Sequence, residues 1–315
     1  DSAGDEEGIL LERPVVIRHG RALGRGRRSR RLHSRGRTSG HMSATGRNAT
    51  QLAATNPIPV FDERLGFTEA THAYYLDGRK FYGPSVTTLI KRLFPEEPFN
   101  GPLIIQKYLG SWRKNEAHRY YPLVLNKTDA QAEKIILAEW KRANELGTFL
   151  HRLAELHLNG VGEETIPESV AKEYAYLLQW LDDNPDLEPY RTELSVFGKN
   201  EEGKIVVVGQ ADALFRNKKS GEYVLVDFKR VDKDLTPAAP AYGRVGVGVM
   251  AGVDATDFYK YSIQAWIYAV CIERSTDIKI ADCLLLQLHP SLPTYECKRC
   301  KEFRAHAEMV LDSQT

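Results

Sequence analysis

An α/β fold, with a central mixed β-sheet flanked by helices, is what the order of apolar patterns in this chain predicts. Helical periodicity runs from Asp129 to Leu158, with Ile135, Ile136, Trp140, Leu146, Leu150 and Leu153 as its apolar positions, and again from about Glu168 to Leu181. Runs rich in β-branched and aromatic residues follow at Tyr190–Phe197, Lys204–Phe215 and Tyr223–Arg230. A helix from Phe258 to Cys271 and a strand from Ile278 to Leu288 complete an order of helix, three antiparallel strands, helix and strand.

The flanking segments read less regularly. From Phe61 to Tyr82 the pattern is that of a hairpin, with Asp77-Gly78 as the turn between aromatic runs. Ser85 is the expected N-cap of a helix that follows Gly83-Pro84. Residues 231–257 are rich in Gly, Ala and Pro and read as a long loop. Within it, Gly243-Arg244-Val245-Gly246-Val247-Gly248 lacks the Lys-Ser/Thr of a P-loop and does not join a strand to a helix, so it reads as a flexible loop. No internal repeat is visible.

Length and charge set the organisation. The chain has 315 residues, 42% hydrophobic and 27% charged, the composition of an ordinary globular protein, and no apolar stretch approaches a membrane span. The net charge of +1 conceals an asymmetry. Eleven arginines lie between Arg13 and Arg47 with no acid among them, while residues 1–12 carry five acids. The rest of the chain holds 32 basic against 37 acidic residues, so nucleic acid would be held by a local groove rather than by net charge. Residues 1–55 read as a disordered Arg-rich segment that cannot bury a core: a nucleic-acid-binding arm, a targeting sequence or an artefactual leader. Residues 56–315 read as the folded domain, with a hairpin and helices over 56–145 and the chemistry over 146–300. Cys271, Cys283, Cys297 and Cys300 all fall late in the chain, and without a secretory signal they imply reduced thiols in an intracellular protein. Cys271 and Cys283 sit in apolar contexts that predict core packing, and Cys297-Lys298-Arg299-Cys300 has metal-site spacing but lacks two further ligands.

The residues that carry chemistry centre on one hairpin. If its turn lies between Lys219 and Ser220, Asp212 falls opposite Asp227, close enough for both carboxylates to hold one hard cation. Lys229 then shares the face of Asp227, with Phe228 turned into a core. Two acids and an ammonium on one face are costly unless a metal and an anionic substrate use them, which points to metal-dependent phosphodiester chemistry. His151 and Glu155 are spaced i,i+4 on one helical face, with Gly147 leaving room for a close approach; beside the aspartates, a metal-ligating imidazole outweighs a surface His–Glu pair. Glu193 shares a strand face with Ser195 and Phe197, opposite Leu194 and Val196, and reads as either a solvent-facing or a site residue. Gln264 and Tyr268, again i,i+4 and with Tyr261 on the same side, form a stripe in which the amide needs partners that a substrate would supply.

Taken together, these motifs resemble the PD-(D/E)XK nuclease superfamily, specifically its RecB-like exonuclease branch, over about residues 84–288. His151 matches the family's first motif, Asp212 in Gly209-Gln210-Ala211-Asp212 its second, Asp227 with Lys229 its acid-x-lysine, and Gln264 with Tyr268 its QxxxY helix. Residues 83–87 with Trp140 and Gly147 are similar to the branch of mitochondrial genome maintenance exonucleases and their phage and viral relatives. The resemblance implies a restriction-endonuclease-like core and a DNA exonuclease, acting on single-stranded ends and dependent on Mg²⁺ or Mn²⁺. His151, Asp212, Asp227 and the Phe228 carbonyl would hold the metal, with Asp212, Asp227, Lys229, Gln264 and Glu193 as catalytic residues. Tyr268, Tyr261, Ser85 and Thr87 would contact DNA. A structure-specific endonuclease, or a non-catalytic nucleic-acid-binding module of the same fold, is the alternative. No iron–sulfur cluster is expected, because no cysteine precedes Cys271. Of the intracellular compartments, mitochondrion and nucleus are not distinguished, and nothing points to a membrane or names a protein partner.

Overall fold

A computed structural model describes residues 50–161 and 165–314. Most of the segment read as disordered, residues 1–49, lies outside the described residues. Its last part does not fit that reading: Gln51–Thr55 forms a short helix, α1. The Leu52 N–H donates to Asn159 Oδ1 at 3.0 Å and Asn56 Nδ2 donates to the Tyr190 carbonyl, so long-range polar contacts hold a segment whose composition is uninformative.

Helix α2 (Pro59–Asp62) starts with proline and precedes strand β1 (Leu65–Thr68). Strands β2 (Ala73–Leu76) and β3 (Arg79–Lys80) follow, and β1–β2–β3 is a small antiparallel sheet. Its second turn is Asp77-Gly78 with φ of +49° and +75°, the left-handed pair that a tight hairpin requires. Helix α3 (Val86–Leu93) begins at Ser85, whose Oγ accepts the Thr88 N–H at 3.2 Å. The helices expected over residues 56–145 include α4 (Gly101–Trp112) and α5 (Tyr121–Val124), whose bounds no sequence pattern marks. They pack Ile105, Leu109 and Trp112 against Ile136 in the first half of α6 (Asp129–Leu158). Both ends of α6 fall where the periodicity places them. A full capping box starts it, with Thr128 and Gln131 each satisfying the other's backbone N–H. The division expected between residues 145 and 146 therefore falls inside one continuous helix.

Helix α7 (Glu168–Asp183) leads into β4 (Leu187–Lys199), β5 (Ile205–Asn217) and β6 (Tyr223–Lys229). Helix α8 (Asp257–Glu273) returns the chain to β7 (Ile280–Gln287), and β8 (Glu296–Arg299) and α9 (Arg304–Asp312) end it. The sheet runs β4-β5-β6-β7-β8, with β6 and β7 parallel and every other neighbouring pair antiparallel. It is thus the mixed sheet flanked by helices that the pattern predicts. Ala213, Phe215, Val224, Val226 and Phe228 pack against Leu150, Leu177 and Trp180 of α6 and α7. Leu214, Leu225, Cys283 and Leu285 join Ile263, Trp266 and Ile267 of α8, with Val86, Val310 and Leu311 from α3 and α9. Because α9 completes this second core, the packed unit extends past residue 300.

The segment read as a long loop is more ordered than its composition implies. Leu235 and Met250 are fully buried, the Gly246 N–H donates to the Val253 carbonyl, and the Val247 N–H donates to the Leu93 carbonyl. Gly246 is not a flexible position: a Cβ there would lie 2.5 Å from the Met250 carbonyl oxygen. Gly243, Gly248 and Gly252 instead have positive φ and nothing within 4 Å of a built Cβ, so they serve turns rather than close packing.

Candidate active site

The local register of β5 and β6 brings the two aspartates together. Pairing runs from Arg216–Tyr223 to Ala213–Val226 without a bulge, which centres the turn between Lys219 and Ser220 as expected. The next step along that register sets Asp212 across from Asp227. There the ladder ends, and the Phe228 N–H donates instead to Asp212 Oδ2 at 2.9 Å. Phe228 is buried on the α6–α7 side, and Lys229 returns to the face of Asp227 with its Nζ 2.5 Å from Asp227 Oδ2.

Glu193 extends the pair into a row. Thr192 pairs with Ala213 and Leu194 with Ala211, so Glu193 stands opposite Asp212 on the far side from Asp227. Its φ of +46° is left-handed, a conformation that costs a β-carbon-bearing residue energy and that concentrates at functional sites. Simple alternation does not describe this strand: Phe197, expected on the Glu193 face, is buried in the same core as Leu194 and Val196. The left-handed backbone at Glu193 interrupts the regular strand conformation there. Gln210 Nε2 donates to the Glu193 carbonyl at 3.0 Å and braces the strained residue.

His151 reaches this row from α6, with its Nδ1 3.5 Å from Asp212 Oδ2 and its ring edge-on to Phe228 at 6.0 Å. His151, Glu193 and Asp212 each offer one ligand atom, and these atoms all lie within 4.8 Å of one another. One imidazole nitrogen with two carboxylate oxygens is a donor set that fits Mn²⁺ or Mg²⁺. The converging set differs from the expected one, because Glu193 takes the place given to Asp227. The contact that Phe228 shows is its amide on Asp212. Asp227 Oδ2 is buried, and Lys229 Nζ is its close ion-pair partner. Glu155 is buried one turn beyond His151 and is not part of the cluster.

Electrostatics follow from this burial. Desolvation pushes the Asp227 carboxyl up to about 6, against the pull of Lys229 and with the push of Asp212. Burial alone would lower the Lys229 ammonium, but Asp227 and Asp212 outweigh it and hold the group protonated. The same ammonium lies 4.4 Å from the Tyr261 ring centroid, so Tyr261 meets Lys229 as a cation–π partner. Tyr268 is buried, and burial raises its pKa well above the usual value. Burial, and secondarily Glu193, raise Tyr74 to about 12.

An open cleft of about 910 Å³ lies over His151 and Glu193, and Ser85, Thr87 and Tyr268 line it as well. Asp212, Asp227, Phe228, Lys229, Tyr261 and Gln264 do not line it. The Ser85 hydroxyl is engaged in capping α3 and lies 3.0 Å from Thr88 Oγ1. Gly147 lines the cleft too, and a Cβ there would meet only Arg230, at 4.0 Å. Sequence reasoning missed Lys80, Lys91 and His72 on the wall, and Gly209 beside the acids. A Cβ on Gly209 would lie 2.6 Å from Tyr268 Cε1 and 2.9 Å from Val86 Cγ2, so this glycine lets α8 and α3 close over β5. Its place in Gly209-Gln210-Ala211-Asp212 was the available signal. Cys271 and Cys283 are buried as core residues, while Cys297 is exposed and Cys300 buried. Among the described residues no cysteine joins a metal-binding cluster, and no helix is long and apolar enough to cross a membrane.

No protein-family model matches this chain, and no curated protein matches it. Among solved structures, the crystal structure of SSO0001 is similar over 54% of this chain and 67% of its own, at 15% identity and a TM-score of 0.26. A likeness of that degree carries no argument about fold or function.

Proposed function

We propose that this chain is a metal-dependent nuclease of the PD-(D/E)XK type, with a restriction-endonuclease-like core, that hydrolyses DNA phosphodiester bonds. One observation carries the reading. Glu193, Asp212 and Asp227 stand in a row across β4, β5 and β6, with His151 and Lys229 against them beside an open cleft. Such a concentration of acids has a large electrostatic cost unless cations are bound there. His151, Glu193 and Asp212 would hold Mg²⁺ or Mn²⁺, with the buried oxygen of Asp227 as a further ligand. Bound there, such an ion supplies polarisation of a phosphate oxygen and a lowered pKa for an attacking water.

The chain's own residues supply the rest. Lys229 presents a fixed positive charge to the phosphorane-like transition state, and the Tyr261 ring and Asp227 hold it in place. Tyr268 lines the cleft and would position the substrate, with Gln264 one turn before it on α8. Lys80 and Lys91 on the cleft wall counter the charge of the strand. The exonuclease mode and the preference for single-stranded ends come from the resemblance of the motifs to the RecB-like branch.

The test is hydrolysis of end-labelled DNA by wild type, Asp227→Ala and Lys229→Ala with Mg²⁺ or Mn²⁺. Metal-dependent cleavage that falls at least about a hundredfold in both variants is expected. Cleavage at the wild-type rate by either variant would refute the assignment, and a wild type that binds DNA but cuts none would make the chain a non-catalytic module. Blocked ends distinguish exonuclease from endonuclease action.

A further inference from the structure

Tyr82 is 87% exposed, although both of its neighbours are anchored. The Phe81 N–H donates to the Tyr74 carbonyl at 2.8 Å, and its ring turns inward against the core. That ring lies over Gly83, where a Cβ would sit 2.4 Å from Phe81 Cζ. The Pro84 carbonyl accepts the Val208 N–H at 3.2 Å and ties the segment to β5. Tyr82 is therefore held out in water by a braced backbone, not by looseness of the chain. An aromatic ring fixed in that way is preorganised to receive a flat partner at little entropic cost.

Its surroundings define the partner. Lys80 Nζ lies 5.6 Å from the Tyr82 ring centroid. Tyr82, Lys80 and Arg79 line a hollow of about 440 Å³, the size of a small-molecule site, and Lys80 and Phe81 line the main cleft as well. The two concavities share a wall. The acid of the hollow, Asp77, is matched by Arg64 through paired hydrogen bonds of 2.9 and 2.7 Å, which leaves Arg79 and Lys80 as its uncompensated charge. A flat ring beside cations, adjoining a phosphodiester cleft, suits an unpaired nucleobase and its phosphate. Duplex bases are already stacked and offer no free face.

We propose that Tyr82 is the stacking platform of a single-strand track that leaves the main cleft over Lys80. One base of the strand lies on the Tyr82 ring, and Lys80 and Arg79 take the adjoining phosphates. The proposal rests on the nuclease reading of the cleft and adds the route of the strand to it.

The experiment measures binding of a fluorescently labelled single-stranded DNA oligomer and of a blunt duplex to the full chain in EDTA, by anisotropy. Tyr82→Ala is expected to weaken single-strand binding roughly 5- to 100-fold, and Tyr82→Phe to change it less than about twofold. Duplex affinity should move less than about twofold in both. Equal single-strand affinity of Tyr82→Ala and a tightly binding wild type would overturn the platform and leave the nuclease reading intact. Loss of binding in Tyr82→Ala with no metal-dependent cleavage by wild type would keep the platform and refute the nuclease. A wild type that does not bind the oligomer overturns the platform, while metal-dependent cleavage still decides the nuclease reading. Thermal melting checks that the exposed substitution leaves the fold unchanged.

Discussion

Glu193 faces Asp212 across β4 and β5 from a left-handed backbone, at a φ of +46°. A β-carbon in that region costs about 1–3 kcal/mol, and the surrounding strands have to impose it. Glu193→Gly relieves the strain and removes the carboxylate. The metal-free variant is expected to melt no lower than wild type, while its Mn²⁺ affinity falls at least about tenfold. Calorimetric titration beside thermal melting reads both, and unchanged metal affinity would remove Glu193 from the ligand set.

Asp227 makes metal-free stability depend on pH in an unusual direction. Its carboxyl is raised by burial from 3.8 to about 6 in the folded chain. A raised acid favours folding below its unfolded pKa and loses that contribution as pH rises through its folded pKa. With chelator present, the melting temperature should decline between pH 3.8 and about 6. Asp227→Asn should flatten this slope, and Mn²⁺ should raise the wild-type melting temperature at neutral pH more than that of the variant. A wild-type curve that rises through this window would contradict the assignment.

Arg230, next to Lys229, forms a buried ion pair with Glu173 of α7 at 2.8 Å, with side-chain exposures of 9% and 1%. Removing one partner strands the other charge, so Glu173→Ala should cost roughly 3–5 kcal/mol in urea denaturation. The exposed pair Lys141–Glu145 on α6 is the contrast, and Glu145→Ala should cost less than about 0.5 kcal/mol.

Two glycines should respond to alanine with opposite signs. Gly209→Ala drives a Cβ to 2.6 Å from Tyr268 and should destabilise the chain by about 1–3 kcal/mol. Gly110 lies in α4 with nothing within 4 Å of a built Cβ, so Gly110→Ala should stabilise by up to about 1 kcal/mol. Chemical denaturation compares them directly.

What could be read from the sequence was whatever neighbouring residues determine. The facing of Asp212 and Asp227 depends on a short hairpin, and the capping box at Thr128 and Gln131 marks its own helix start. The left-handed turn at Glu193 is imposed by β5 and Gln210, so alternation along β4 could not reveal it. Helix α4 carries Pro102 and Gly110, which blur its pattern, and it is defined by packing against α6. In residues 231–257, Leu235 stands alone among polar residues and Met250 lies in a Gly- and Val-rich run without helical or strand period, so only the fold reveals what they bury against.

The parallel pairing of β6 with β7 has a consequence for synthesis. The strand that carries Asp227 and Lys229 is completed early, but its second hydrogen-bonding edge is not covered until Gln287 has been made. Until then Tyr223–Lys229, an apolar run rich in β-branched and aromatic residues, is an open edge that another chain can extend. A premature stop anywhere between Arg230 and Ile280 would therefore do more than remove activity. It would release a sticky, aggregation-prone fragment, whereas a stop before Tyr223 would omit that strand altogether.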